Sequence, residues 1–251
     1  IPIEETIRAM ELLVKQGKVR YLGVSNFSVQ EMQHTQTALG ENILVSNQVE
    51  YNLFDRFIEG NILPFCEQQN ISVIAYSPLD KGNLAQHQQR LREISQEYGK
   101  SISQLILNWL IKQTPVIVIP KASSEQHVRE NAEASDFELS VEHYQEIDSL
   151  FPSEPQHIDP KLICVSLRGE GNRKVYQTVK EALNNPLNFV PSPSELAEEI
   201  KHGASFKPVR LCPNINPKES FEYDLVEGRI RYWAWVIAFN SQKPVPSYIR
   251  N

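Results

Sequence analysis

The sequence predicts an α/β chain, four strand–helix units forming a parallel sheet, followed by a small α+β domain. Three observations lead there. Short apolar runs near residues 19–24, 43–51, 71–76 and 116–119 alternate with stretches of helical periodicity. The runs are close to continuously apolar, as strands are when helices cover them. Charge then changes sign along the chain. Residues 1–154 hold 12 Lys/Arg against 21 Asp/Glu, and the remainder holds 13 against 10. The change falls at Phe151-Pro152-Ser153-Glu154-Pro155, so the expected domains are 1–152 and 156–251.

Each element has its own signal. Ile3, Ile7, Met10, Leu13 and Val14 recur at helical spacing, and Gly17 is a natural stop. Val19-Arg20-Tyr21-Leu22-Gly23-Val24 is the first strand. Ser28 can cap a helix over 29–39, closed by Gly40. Ile43-Leu44-Val45 leads to Gln48-Val49-Glu50-Tyr51, and a helix then runs to about Asn70. Ile71–Tyr76 is a buried strand, with helices expected over 87–98 and 101–113. Val116-Ile117-Val118-Ile119 is the last strand of this part, with helices at 124–133 and 141–150. In the tail, helices are expected at 174–183 and 193–201 and strands at 207–211 and 221–226. Gly228 then opens an aromatic-rich helix through Arg231-Tyr232-Trp233-Ala234-Trp235.

Composition narrows the class. With 41% hydrophobic and 22% charged residues, the chain reads as a globular protein, and no apolar stretch is long enough to cross a membrane. The start, Ile1-Pro2-Ile3-Glu4-Glu5, is acidic rather than a secretory signal, and the absence of an initial Met suggests missing upstream sequence. Cys66, Cys164 and Cys212 lie far apart with no metal-ligand spacing, which points to a reducing, cytoplasmic setting and no metal.

Polar residues gather just past the strand ends: Ser25-Asn26, Gln48, Tyr76-Ser77 and Lys121. A barrel places its chemistry there. Four segments stand out in order: Gly23-Val24-Ser25-Asn26-Phe27, Asn47-Gln48-Val49-Glu50-Tyr51-Asn52, Ala75-Tyr76-Ser77-Pro78-Leu79 with Gly82, and Ile119-Pro120-Lys121 through Asn131. Together they resemble the last four strand signatures of the aldo-keto reductase family. The resemblance implies units five to eight of a (β/α)8 TIM barrel, half of the closed fold, and NADP(H) as cofactor. It further implies that Ser25, Asn26 and Gln48 bind the nicotinamide carboxamide and that Tyr76 stacks on the ring. Ser77 and Leu79 would line the pyrophosphate passage. Lys121, Ser123 and His127 would surround the 2′-phosphate, a dianion suited to a cationic helix start, with Glu130 and Asn131 at the adenine. Many relatives carry Arg where His127 stands, so the phosphate contact here becomes pH-dependent. Read without the resemblance, Ser25-Asn26 is a cap and turn, Tyr76 a half-buried strand aromatic, and Lys121 and Arg129 solvated charges.

The same resemblance puts the family's proton-donating Tyr, its Asp–Lys pair and its His on the first four strands. Tyr21, Tyr51, Lys81 and His87 match none of those motifs, so no catalytic residue is expected and this chain alone should not turn over. A small-molecule carbonyl substrate would belong to the full-length parent. Exposed sheet edges suggest a homo-oligomer or a missing N-terminal half as partner.

Ile158–Ile163, Tyr223–Ala234 and Val245–Ile249 resemble the ParB/sulfiredoxin-like superfamily. That implies a nucleotide at Gly228, Arg229 and Arg231, where a strand runs into a helix start. The sulfiredoxin Cys position is Arg229 here, and Ile230 replaces a basic residue usual in ParB proteins. Two alternatives stand beside the reductase reading: a non-enzymatic dinucleotide-binding or scaffold half barrel, and a nucleotide- or DNA-linked regulator working through the tail. A tail charge of +3 is too slight to argue for DNA affinity by itself.

Overall fold

The structure, a computed structural model, describes residues 2–80, 88–151, 153–165, 176–215 and 220–249. Gly82, Lys81, His87, Pro152 and the start of the helix expected at 174–183 lie outside them. The chain divides into two compact units, Ile1–Ser153 and Glu154–Asn251. No helix among the described residues is long and apolar enough to cross a membrane.

The first unit is a four-stranded parallel sheet in the order β1-β2-β3-β4, formed by Leu22–Ser25, Leu44–Glu50, Ser72–Tyr76 and Val116–Val118. The helices are α1 (Ile3–Lys15), α2 (Val29–Ala38), α3 (Ile62–Gln68), α4 (Gln88–Glu97), α5 (Ile102–Ile111), α6 (Glu125–Ala132) and α7 (Val141–Leu150). Each parallel neighbour is reached through at least one helix, as parallel pairing requires. This is half of a barrel sheet, α/β in class.

Local chemistry explains the boundaries. Ser28 caps α2 reciprocally: its hydroxyl accepts from the Glu31 amide at 3.2 Å, while its own amide donates to the Glu31 carboxylate at 2.8 Å. Ser101 caps α5 with Gln104 in the same way. The two apolar pieces at 43–45 and 48–51 form one strand, because Ser46 and Asn47 between them stay in the ladder beside Gly23 and Val24. The helix expected up to Asn70 is shorter: a 3-10 turn at Phe57–Gly60 precedes α3, which opens at Asn61.

Strand register sorts the side chains into two faces. Leu22, Asn47, Val49, Val73 and Ala75 face the helices and are all 4% exposed or less. Gly23, Ser25, Ser46, Gln48, Ile74, Tyr76 and Ile117 share the opposite face. That face is open, and Ile117 and Ile119 are 54% and 44% exposed. A Cβ on Gly23 would sit 2.3 Å from the Ser46 hydroxyl, so β1 and β2 approach closely only because Gly is there.

The second unit is a mixed sheet in the order β5-β9-β7-β8-β6, formed by Gln156–Ile158, Val245–Ile249, Val209–Pro213, Tyr223–Glu227 and Ile163–Cys164. β5–β9 and β7–β8 are antiparallel, and β7–β9 and β6–β8 are parallel. Helices α8 (Val179–Asn184), α9 (Pro193–Lys201) and α10 (Arg229–Phe239) complete it. Its core holds Val209, Leu211, Leu225, Trp233 and Val245, with the Trp233 indole donating to the Tyr176 carbonyl at 3.0 Å. Three short strands, β5, β6 and β9, carry no strand expectation from the sequence, being brief or holding Pro246.

Candidate functional site at the C-terminal ends of the half barrel

Ser25 ends β1, Gln48 lies late in β2, Tyr76 ends β3, and Lys121 follows β4 by three residues. Because the strands are parallel, these positions gather at one edge of the sheet. Ser25 pairs with Gln48 in register, and its hydroxyl donates to the Gln48 carbonyl at 3.0 Å. The Asn26 amide donates to that same carbonyl at 2.8 Å. The Tyr76 hydroxyl donates to the Asn26 side-chain oxygen at 3.2 Å, tying the end of β3 to the end of β1 across the intervening β2. Ser25, Asn26, Gln48 and Tyr76 therefore form one polar cluster.

Backbone strain sits at this cluster. Asn26 has φ +59° and Ser77 φ +50°, the left-handed region that L residues enter at a cost unless surroundings hold them there. Asn is the residue most tolerant of that conformation after Gly, and Ser is less so. The Ser77 carbonyl accepts from the Asp80 amide at 3.0 Å, which closes a tight turn after β3. Leu79 in that turn is partly buried and packs its side chain on the core.

The Lys121–Asn131 segment is a loop running into α6. Ser124 is the cap, its hydroxyl accepting from the His127 amide at 3.2 Å. Lys121, Ser123 and His127 are exposed, and Glu130 and Asn131 are half-buried. Glu130 accepts from the Gln126 side chain at 2.8 Å, and Arg129 pairs with Glu125 at 2.7 Å on the solvent side. Extension of the β3–β4 ladder through the Ile119 amide, 3.2 Å from the Ala75 carbonyl, brings this loop beside the end of β3.

Beyond the end of β2 lies a buried ion network that the sequence does not announce. Arg56, with its side chain 7% exposed, bonds Glu59 through two nitrogens, Asp148 at 2.7 Å and the Phe151 carbonyl at 2.6 Å. Burial opposes its charge, but Glu59 and Asp148 outweigh that and hold the guanidinium above its ordinary range. Its face lies 5.0 Å from the Trp109 ring. Tyr51 donates to Glu59 at 2.7 Å, and burial beside Glu59 pushes its phenol up. Asn47 and Asn52, both fully buried, carry no role in the sequence motifs above. Their signal was available, since a buried Asn in or next to an apolar strand must be satisfied by something.

In the second unit, Gly228 has φ +91° and starts α10. A Cβ there would lie 2.9 Å from the Arg231 guanidinium and 3.1 Å from Val209. Arg231 donates to the Lys207 carbonyl at 3.3 Å and stands 3.9 Å from Glu227, while Arg210 pairs with Glu227 at 2.8 Å. Gly228, Arg229 and Arg231 thus adjoin one another, with Arg231 already engaged by protein groups.

A parallel sheet with its polar cluster at the strand C-termini and a capped helix after the last strand is the arrangement of half an α/β barrel, with polar groups at the end where barrels place their chemistry. Residues 1–151 match the Aldo/keto reductase family, and the chain belongs to that family. The methylglyoxal reductase of Escherichia coli is 38% identical over 154 residues, 60% of this chain and 54% of that protein. The glyoxal reductase of Bacillus subtilis is 38% identical over 147 residues, 59% and 51% of the two chains. An aldo-keto reductase from Klebsiella pneumoniae, crystallised with NADPH, superposes with a TM-score of 0.57 at 39% identity, covering 61% of this chain and 55% of that one. The chain spans about half the length of the curated relatives it matches.

Proposed function

We propose that residues 1–152 are the cofactor-binding half of an NADP(H)-dependent aldo-keto reductase, with a ParB/sulfiredoxin-like module in residues 156–251. The observation that carries the first part is the Ser25–Asn26–Gln48–Tyr76 cluster on the open face, beside the loop that opens α6. The donor set suits a dinucleotide. Hydroxyl and amide groups match a carboxamide, an aromatic ring stands at the strand end, and a lysine lies at a helix start where anions are favoured. The NADPH complex of the Klebsiella relative supports the same cofactor.

In this reading Ser25, Asn26 and Gln48 hold the nicotinamide carboxamide and Tyr76 fixes the ring plane by stacking. Ser77 and Leu79 present backbone to the pyrophosphate. Lys121, Ser123 and His127 hold the 2′-phosphate, and Glu130 and Asn131 meet the adenine. A nicotinamide held there would provide hydride chemistry toward an aldehyde or ketone carbonyl. No residue of this chain is assigned to donate the accompanying proton, so turnover belongs to a whole barrel. The open edges β1 and β4, with Ile117 and Ile119 exposed, suit four further strand–helix units. In the tail, the β8–Gly228–α10 junction supports a nucleotide phosphate at Gly228 and Arg229.

The test follows NADPH absorbance with 4-nitrobenzaldehyde as a reactive carbonyl, alongside calorimetric titration of NADPH. Binding without steady turnover is expected. Turnover by the isolated chain would overturn the assignment of the proton donor, and absence of NADPH binding would overturn the cofactor reading.

A further inference from the structure

β2 carries two asparagines with no exposed surface, Asn47 within it and Asn52 just beyond it. Neither faces the polar cluster, and each grips the loop of a different neighbouring strand. Asn47 uses its amide as a surrogate peptide group. Its nitrogen donates to the Phe27 carbonyl at 2.8 Å, and its oxygen accepts from the Phe27 amide at 3.3 Å. Asn26, immediately before Phe27, makes the last backbone bond to β2 and turns the chain away through its positive φ, so Phe27 has its half-buried amide and carbonyl to satisfy beyond the strand. Asn52 does the corresponding work on the other side. Its nitrogen donates to the Ser77 carbonyl at 3.1 Å, and its oxygen accepts from the Phe54 and Asp55 amides, both at 2.9 Å.

We infer that Asn47 and Asn52 are positioning residues that divide the cofactor site between them, Asn47 fixing the nicotinamide end and Asn52 the pyrophosphate end. The inference rests on the cofactor reading above. Asn26 in the cluster and Ser77 directly after Tyr76, both at positive φ, are next to or part of a backbone unit held by one of these amides. A side chain that holds a left-handed residue in place sets the direction of the groups beside it. Asn47 therefore governs Ser25, Asn26 and, through the Asn26 side chain, the Tyr76 hydroxyl. Asn52 governs Ser77 and the turn to Asp80. The Lys121–Asn131 cradle receives nothing from either asparagine in these hydrogen bonds.

Aspartate substitutions isolate the role, since Asp keeps the acceptor oxygen and loses the donor nitrogen. Three probes of decreasing reach separate the ends: NADPH, 2′-phospho-ADP-ribose, which lacks the nicotinamide, and adenosine 2′-monophosphate. With Asn47→Asp at pH 8, NADPH affinity is expected to fall about five- to tenfold, with 2′-phospho-ADP-ribose affinity unchanged. With Asn52→Asp, NADPH and 2′-phospho-ADP-ribose both weaken by a similar factor and adenosine 2′-monophosphate holds. Should an aspartate variant fail to fold, Asn47→Ser and Asn52→Ser run the same comparison with a shorter acceptor. Equal loss of all three probes, or no loss, while the unsubstituted chain binds NADPH, overturns this inference alone. An unsubstituted chain that binds none of the three overturns the cofactor reading and this inference with it.

Discussion

The two units solve the same problem, covering a sheet, in opposite ways. In Ile1–Ser153 the sheet order is the chain order, every neighbour is parallel, and one face lies open. In Glu154–Asn251 the first strand pairs with the last, β5 with β9, and among the described strands only β7 and β8 are neighbours both in the chain and in the sheet. The first arrangement lines up its strand ends at one rim, so polar side chains from four separate segments accumulate there. The second draws the beginning and end of the unit together around Val209, Leu211, Leu225 and Val245, each with no exposed surface. An open face with a rim of loops marks the first unit, and pairing of its own two ends marks the second.

That contrast can be broken by mutation. The largest effect is expected from Arg56→Ala, which leaves Glu59 half-desolvated and removes bonds to Asp148 and Phe151. Breaking a buried pair from one side costs about 3–5 kcal/mol. Hydrogen exchange in urea should show β2 and β3 losing protection while β7–β9 keep theirs; equal loss in both would contradict two separately stabilised units. Leu225→Ala is the mirror experiment, at about 2–5 kcal/mol for a fully buried leucine. It should spare β1–β4. The smallest effects come from the caps: Ser28→Ala in the first unit and Ser192→Ala in the second each remove a reciprocal cap worth about 1 kcal/mol. Each is expected to shift the denaturation midpoint of its own unit alone.

How much the sequence revealed follows from the same contrast. The parallel strands were legible because each is a short apolar run bounded by its own helix, as in Ser72–Tyr76 ahead of α4 and α5. The capping box at Ser28 was legible in part, as a cap without its partner Glu31, and the one at Ser101 was not, since the expected helix took Ser101 in as its first residue. The tail's strands at Gln156–Ile158 and Val245–Ile249 were not legible as strands. Their pairing spans the whole unit, and nothing local in either segment announces it. Within the candidate site, the residues that would meet a ligand were named from motif and position. The supports Asn47 and Asn52 were not legible because their partners at Phe27 and Ser77 are backbone groups that only the fold brings near, and Arg56 because Asp148 and the Phe151 carbonyl lie more than ninety residues along the chain. A buried polar residue in an apolar run says that a partner exists without saying which.

The central claim is that the loop after β4 and the start of α6 select a 2′-phosphate. Calorimetric titration of the chain and of Lys121→Glu with NADPH and NADH tests it directly. A charge-assisted hydrogen bond contributes about 1.5–3 kcal/mol. The substitution is therefore expected to weaken NADPH by about tenfold or more, with NADH little changed, and the unsubstituted chain is expected to prefer NADPH. Equal affinity for the two dinucleotides, or a variant that loses both alike, would contradict the claim.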